Sequence, residues 1–245
     1  AVSYCGKTLG IEVDVFVPKS APEVKVTKIR RYGANVHVTG MDYDECYKLA
    51  KAYLAKSEKV FMDPASDPIA IAGHGTIGLE IMEDASKMDA IVVPVGGGGL
   101  ITGVSLGAKS MQPVSVIGVQ TEACPAMAAS LRDGKMYAAY PSAPSICDAV
   151  LGRVGEIGFD YAEKCIDKIV CASEDMVREA LVELIRNDKV VAEPSGCLGV
   201  AHILEHSETY SGLNVAVVIS GGNVDFALLQ ELVGGYVPVK VRGAK

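Results

Sequence analysis

Three stretches of this sequence bare the backbone directly after an apolar run, and each leaves a group suited to chemistry beside the turn. In the first, Pro94-Val95 leads into Gly96-Gly97-Gly98-Gly99, and a helical pattern follows from Leu100. Without Cβ atoms, consecutive N–H groups can turn onto an anion, and the positive end of the next helix adds to the attraction. A phosphate group suits such a loop. No Lys-Ser/Thr pair follows it, so it is not a nucleotide P-loop. In the second, Ser220 precedes Gly221-Gly222-Asn223-Val224-Asp225. A hydroxyl there can donate to or accept from a ligand, although the spacing equally suits a plain turn. In the third, Glu193-Pro194-Ser195-Gly196 sets a carboxylate ahead of a helix, as a ligand partner or as a helix-dipole residue.

Two other patterns carry less. Gly73-His74-Gly75-Thr76-Ile77-Gly78 has the G-x-G-x-x-G spacing of dinucleotide sites. That fingerprint needs a preceding strand and an acid at the end of the next strand. Here Asp63-Pro64-Ala65-Ser66-Asp67-Pro68 leads in, and the next strand ends in glycines, which argues against NAD. His202-Ile203-Leu204-Glu205-His206 fits a zinc-protease spacing at the end of a helix, with no further acidic ligand obvious after it. A solvated helix end is the expectation. His37 and His74 have no evident partners.

The elements that would position these turns alternate. Residues 1–10 read as a helix closed by Gly10, and residues 13–17 as a strand. Ser20-Ala21-Pro22-Glu23 has capping-box spacing for a helix up to Gly33. A short strand at 36–38 follows, then a helix with Cys46, Leu49, Ala50, Tyr53 and Leu54 on one face. Residues 59–62 close a small α/β unit. Beyond it come a helix opening at Gly75, apolar strands at 90–95 and 114–119 with a helix between them, and a less regular region. A helix from Ser173, another over 195–206 and a strand at 214–220 complete the pattern. Such alternation predicts an α/β fold with a mostly parallel sheet covered by helices on both faces, and ligands at the carboxyl ends of its strands. The expected division is a small mobile α/β domain over 1–66 and a large domain over 67–245.

Composition narrows the function. Of 245 residues, 49% are hydrophobic, enough for a substantial core. Thirty acidic against 23 basic residues give a net charge of −7, which argues against nucleic-acid or anionic-membrane partners. The seven cysteines are scattered without a CxxC pair, as expected for reduced, buried thiols in a cytoplasmic protein. No charged stretch ahead of an apolar run suggests a secretory leader. Residues 90–108 are uncharged and nearly long enough to span a bilayer, but Pro94 and four glycines would break a membrane helix there.

Taken in order, Ala72-Gly-His-Gly-Thr-Ile-Gly-Leu-Glu80, Pro94-Val-Gly-Gly-Gly-Gly99, Ile117-Gly-Val-Gln-Thr-Glu122, Ser145-Ile-Cys-Asp-Ala149, Glu193-Pro-Ser-Gly196 and Ser220-Gly-Gly-Asn-Val-Asp225 resemble the fold-type II pyridoxal-phosphate (PLP) enzymes. The resemblance is to the serine racemase and serine/threonine dehydratase (threonine ammonia-lyase) family and covers essentially the whole chain. It implies PLP held between a large and a small domain, with Gly96, Gly97, Gly98, Gly99 and the backbone of Leu100 around the phosphate. Ser220 would bond the pyridine nitrogen, and Glu193 would sit beside the cofactor. Asp148 and Ala149 would lie near the substrate, although the family usually reads Ala-Asp-Gly there. Gln120, Cys124 and Ala126 stand where relatives with a divalent-cation site carry carboxylates, so no metal is expected.

The resemblance further implies an earlier segment bearing the Schiff-base lysine and a Ser-Ser-Gly-Asn-His-type loop, and neither motif is in this sequence. The expectation is a homodimeric lyase or racemase acting on L-serine or L-threonine, whose catalytic lysine lies outside this chain and which is inactive without it. The alternatives are a non-catalytic remnant that binds phosphate ligands and another fold-type II enzyme resembling cysteine synthase.

Overall fold

A fully buried apolar strand and a largely apolar neighbour form the centre of the larger sheet. In the computed structural model, which describes residues 1–85 and 87–235, β3 (Ala90–Pro94), β4 (Ser115–Thr121), β5 (Lys168–Ala172) and β6 (Val215–Val217) pair in parallel in the order β5-β4-β3-β6. Ile91, Val92 and Val93 are fully buried, as expected of a strand covered on both faces. Each such side chain contributes about 1.5–3 kcal/mol on burial. The last ten residues of the expected large domain lie outside the described residues. A smaller sheet pairs β1 (Asp14–Val17) with β2 (Asn35–Val38), also in parallel. It is flanked by α1 (Val2–Leu9), α2 (Glu23–Arg31) and α3 (Tyr43–Leu54). The remaining helices are α4 (Pro68–Asp84), α5 (Gly99–Met111), α6 (Ala126–Asp133), α7 (Glu156–Asp160), α8 (Ala162–Cys165), α9 (Glu174–Glu183), α10 (Leu198–Glu205) and α11 (Phe226–Gly234). No helix among the described residues is long and apolar enough to cross a membrane.

Several sequence expectations need correction. Ser20 does not cap α2, which starts behind Pro22, whose carbonyl accepts from the amides of Lys25 and Val26 at 2.9 and 3.3 Å. Glu23 instead accepts from Thr27 and Arg30 along its own helix. The buried stripe of α3 is narrow: Cys46 and Ala50 are buried, while Leu49 and Tyr53 are exposed. Residues 59–62 form no strand, and Val60 is 92% exposed. Residues 168–172, within the region that reads as irregular, form β5, too short and too mixed in composition to stand out. The described cysteines are all free; Cys5 is exposed and Cys171 half-buried, against five buried ones.

The glycine motif at 73–78 lies inside a helix. Asp67 caps α4 by accepting from the amides of Ile69 and Ala70 at 2.8 and 3.0 Å, and Pro68 fits the first helical position. The cap starts the helix ahead of the motif, whose glycines then serve packing against α5. A Cβ on Gly78 would lie 2.7 Å from the Ala108 amide nitrogen, and one on Gly103 would lie 2.9 Å from that of Gly75. These are backbone-to-backbone contacts that no side chain can relieve by turning. A Cβ on Gly73, by contrast, would meet nothing within 4 Å. Gly78→Ala is therefore expected to destabilise the fold by about 2 kcal/mol or more. Gly73→Ala should be neutral or stabilising by up to about 1 kcal/mol, because alanine is the better helix former. Urea unfolding of the two variants checks the contrast.

His202 is buried, not solvated. It is 3% exposed, its Nε2 lies 2.9 Å from the Tyr210 hydroxyl, and its Nδ1 has no partner. Burial, with help from the neighbouring His206, pushes its pKa down to about 4. In the unfolded chain the ring takes a proton near pH 6.5. Between about pH 6.5 and 4 the unfolded state binds the extra proton, so stability falls as pH falls through that window. A loss of about 2 kcal/mol is expected between pH 7 and pH 5, and His202→Gln should reduce it in pH-dependent urea unfolding.

Candidate active site at the carboxyl edge of the sheet

The strand ends converge on one edge. At the end of β3 the amide N–H groups of Gly96, Gly97, Gly98, Gly99 and Leu100 find no acceptor among the described residues. Gly98 has φ 96°, in the left-handed region, and caps α5. Neighbouring backbone walls this loop on two sides. A Cβ on Gly97 would lie 2.7 Å from Ala65 Cβ, and one on Gly99 would lie 2.6 Å from the Pro64 carbonyl oxygen. On the other side the Gly155 amide donates to the Gly97 carbonyl at 2.9 Å. The result is a nest of bare, unpartnered donors at the start of a 13-residue helix. That arrangement fits a phosphate.

A chain of close contacts runs from this nest to Ser220. A Cβ on Gly96 would lie 3.1 Å from Val150 Cα. The neighbouring Ala149 amide donates to Ser195 Oγ at 3.2 Å. A Cβ on Gly196 would lie 2.8 Å from the Ser220 carbonyl carbon. Ser220 itself is half-buried, and its hydroxyl has no partner among the described residues. β6 ends at Val217, short of the strand expected over 214–220, so this hydroxyl lies on the turn beyond it, free to donate to or accept from a ligand.

Glu193 sits between these pieces in a role that neither sequence reading anticipated. Its Oε2 accepts from the Asn223 amide at 3.0 Å, and its own amide donates to the Gly221 carbonyl at 3.2 Å. Gly221 has φ 71°, and a Cβ there would run into the Glu193 carboxylate. The acid thus holds the turn that carries Ser220. Asp148 lies at the outer wall, where Lys25 of α2 pairs with it at 2.7 Å, and Lys28 donates to Asn223 Oδ1 at 3.2 Å. Between α2 and these turns is a cavity of about 290 Å³ lined by Lys25, Ile146, Asp148, Glu193 and Asn223 among others.

Sequence reasoning missed Glu174. It looks like a first-turn acid of α9, yet it accepts from Thr121 Oγ1, Ser145 Oγ and the Ile146 amide at 3.1, 2.5 and 3.0 Å. It thereby fixes the Ser145-Ile146-Cys147 turn. Burial, chiefly, pushes the Cys147 and Cys197 thiols up to about 12, so neither is poised as a nucleophile. Gln120 is buried, its Oε1 accepting from the Ala128 amide at 2.9 Å.

Residues 1–221 match the family described as pyridoxal-phosphate dependent enzyme. The chain belongs to this family. It is 42% identical over 234 residues to an L-threonine ammonia-lyase of Thermotoga maritima, across 95% of this chain and 58% of that protein. It is 34% identical over 237 residues to a serine racemase of Arabidopsis thaliana, across 94% and 71%. Among solved structures, the processed form of threonine deaminase isoform 2 from Solanum lycopersicum superposes with a TM-score of 0.86 at 29% identity, over 96% of this chain and 70% of that one. The chain therefore spans a little under three-fifths of the Thermotoga relative's length. The architecture is that of the fold-type II PLP enzymes, and PLP is the cofactor of the family.

The bonding of Glu193 yields a prediction. Glu193→Ala releases the Ser220 turn and is expected to weaken PLP binding about tenfold, the effect of losing one charge-assisted hydrogen bond. Glu193→Gln keeps an acceptor for Asn223 and should retain most of the affinity. Titration of each variant with PLP, followed by visible absorbance, checks this.

Proposed function

We propose that this chain forms the cofactor-holding part of a PLP-dependent lyase or racemase acting on L-serine or L-threonine. The observation that carries the reading is the pairing of an unpartnered amide nest at Gly96–Leu100 with a free hydroxyl at Ser220. The high identity to an L-threonine ammonia-lyase supports the substrate class. In this reading the nest and the N-terminus of α5 hold the phosphate, and Ser220 bonds the ring nitrogen. When bound, PLP stores the electron pair released as the substrate's α-proton leaves. A neutral serine at the ring nitrogen withdraws less charge than a carboxylate partner would, which suits loss of a β-hydroxyl. Glu193 acts by holding Ser220 in place, and Asp148 and Ala149 form part of the wall facing the substrate.

The proposal divides the molecule into a small mobile unit over 1–66 and a large unit from 67 onward. Lys25 and Lys28 supply polar contacts across that division. The lysine that binds the cofactor covalently would come from a segment preceding Ala1, and the working enzyme would be a cytoplasmic homodimer.

Borohydride reduction of the natively purified protein, with peptide mapping and a keto-acid assay, tests the reading. The expected result is reduced cofactor on a lysine upstream of Ala1 and keto acid formed from L-threonine or L-serine. Ser220→Ala should lower turnover about tenfold or more, since one ring hydrogen bond is lost, while leaving phosphate-driven PLP binding largely intact. Absence of both trapped cofactor and keto acid would sink the proposal.

A further inference from the structure

The stretch 148–155 touches the helices of the small unit on one side and the glycine nest on the other. On its outer side, Lys25 of α2 pairs with Asp148 at 2.7 Å. Helix α3 meets its far end: a Cβ on Gly152 would lie 3.4 Å from Tyr43 Cδ1 and 3.7 Å from Asp44 Oδ1. The Asp44 carboxylate also interacts with the Arg153 amide and guanidinium, and that guanidinium lies over the Tyr47 ring at 4.3 Å. On the inner side, a Cβ on Gly96 would lie 3.1 Å from Val150 Cα, and one on Gly97 would lie 3.4 Å from the Arg153 carbonyl oxygen. The Gly155 amide donates to the Gly97 carbonyl at 2.9 Å.

This strap is short and stiff. Asp148–Val150 is a single 3-10 turn, so its two ends cannot shift independently. At its centre the Ala149 amide donates to Ser195 Oγ, which makes a pivot on a buried residue. The outer end carries the ion pair, and the inner end is Val150, set against the bare backbone of Gly96. No flexible side chain stands between the two backbones to absorb a displacement. Charge favours the seating of α2 on the strap. The helix carries Lys25, Lys28, Arg30 and Arg31 against the single acid Glu23, and the lip that it faces includes Asp148, Glu193 and Asp225. With side chains 23% and 40% exposed, Lys25 and Asp148 are partly shielded from water and salt.

We infer that Lys25 is a positioning residue for the cofactor loop: its pair with Asp148 seats the strap, and the strap holds the nest in the shape that receives a phosphate. The inference rests on the function proposed above for the identity of the phosphate-bearing ligand. Among the described residues, Lys25 has no hydrogen bond or ion pair to the nest or to Ser220, so it acts through Asp148. The coupling is reciprocal. If seating α2 steadies the nest for phosphate, phosphate in the nest must steady α2 by the same factor.

The test uses the natively purified protein freed of cofactor, with no amino acid present, so the substrate wall plays no part. In titrations with PLP followed by visible absorbance, Lys25→Met is expected to bind about threefold more weakly than wild type, the scale of one half-exposed ion pair. Asp148→Asn should show a similar loss and the double variant no more than either alone, whereas Lys25→Arg should keep the wild-type affinity. Hydrogen exchange supplies a readout that a purely structural pair would not move. PLP should slow exchange in wild-type peptides covering both 96–100 and 23–31, and in Lys25→Met it should slow the first set alone.

An unchanged PLP affinity in Lys25→Met, with or without a lower melting temperature, overturns the inference. So do additive losses in the double variant, or wild-type exchange at 23–31 that PLP leaves untouched. Inorganic phosphate, as a second probe, separates this outcome from failure of the proposed function. A wild-type protein that binds no PLP, yet in which phosphate slows exchange at both 96–100 and 23–31, would defeat the proposed function and leave the role of Lys25 standing.

Discussion

Backbone can approach backbone within van der Waals distance only where no Cβ intervenes, and this molecule depends on that constraint at each of its critical joints. Helices α4 and α5 meet through Gly78 and Gly103, the loop after β3 is walled by chain at 64–65 and at 155, and Gly196 lies against the carbonyl of Ser220. Interiors are packed too densely for such contacts to absorb even one extra carbon by small shifts. The glycines therefore do two kinds of work. Some bring segments together, while those of the β3 loop also expose amides that would otherwise be screened.

The second recurring device is the carboxylate that holds a turn. Glu174 gathers Thr121 and the Ser145-Ile146 turn, Glu193 holds the turn carrying Ser220, and Asp63 accepts from Ala65, Ser66 and Tyr47. A loop has few apolar contacts of its own, so it borrows rigidity from an acid that accepts several of its donors at once. Glu174 and Glu193 lie beside the carboxyl edge of the larger sheet, and Asp63 holds the segment ahead of α4. The edge is built from turns held by buried or half-buried carboxylates.

How much of this was legible varied with the physics behind each feature. The apolar strands β3 and β4, the glycine nest and the Ser220 turn show in the chain because burial on both faces and missing side chains leave local signatures. The capping of α4 by Asp67 was also written locally, yet the glycines that follow suggested a later start. The burial of His202 and the role of Glu193 were not legible, since each depends on what another segment places nearby. Arg153 and Asp63 stand 90 positions apart, and no pattern in either neighbourhood points to the other.

The sequence by itself determined the alternation of elements, the phosphate-suited loop and, through an ordered set of short motifs, the family. These follow from periodicity and from residue types whose backbone preferences act over a few neighbours. Tertiary structure alone decided which acids became clamps, which histidine was desolvated and which arginine met Asp63. Those outcomes turn on distances between segments far apart in the chain, and on the low polarity of the interior where they meet, neither of which any short stretch of residues encodes.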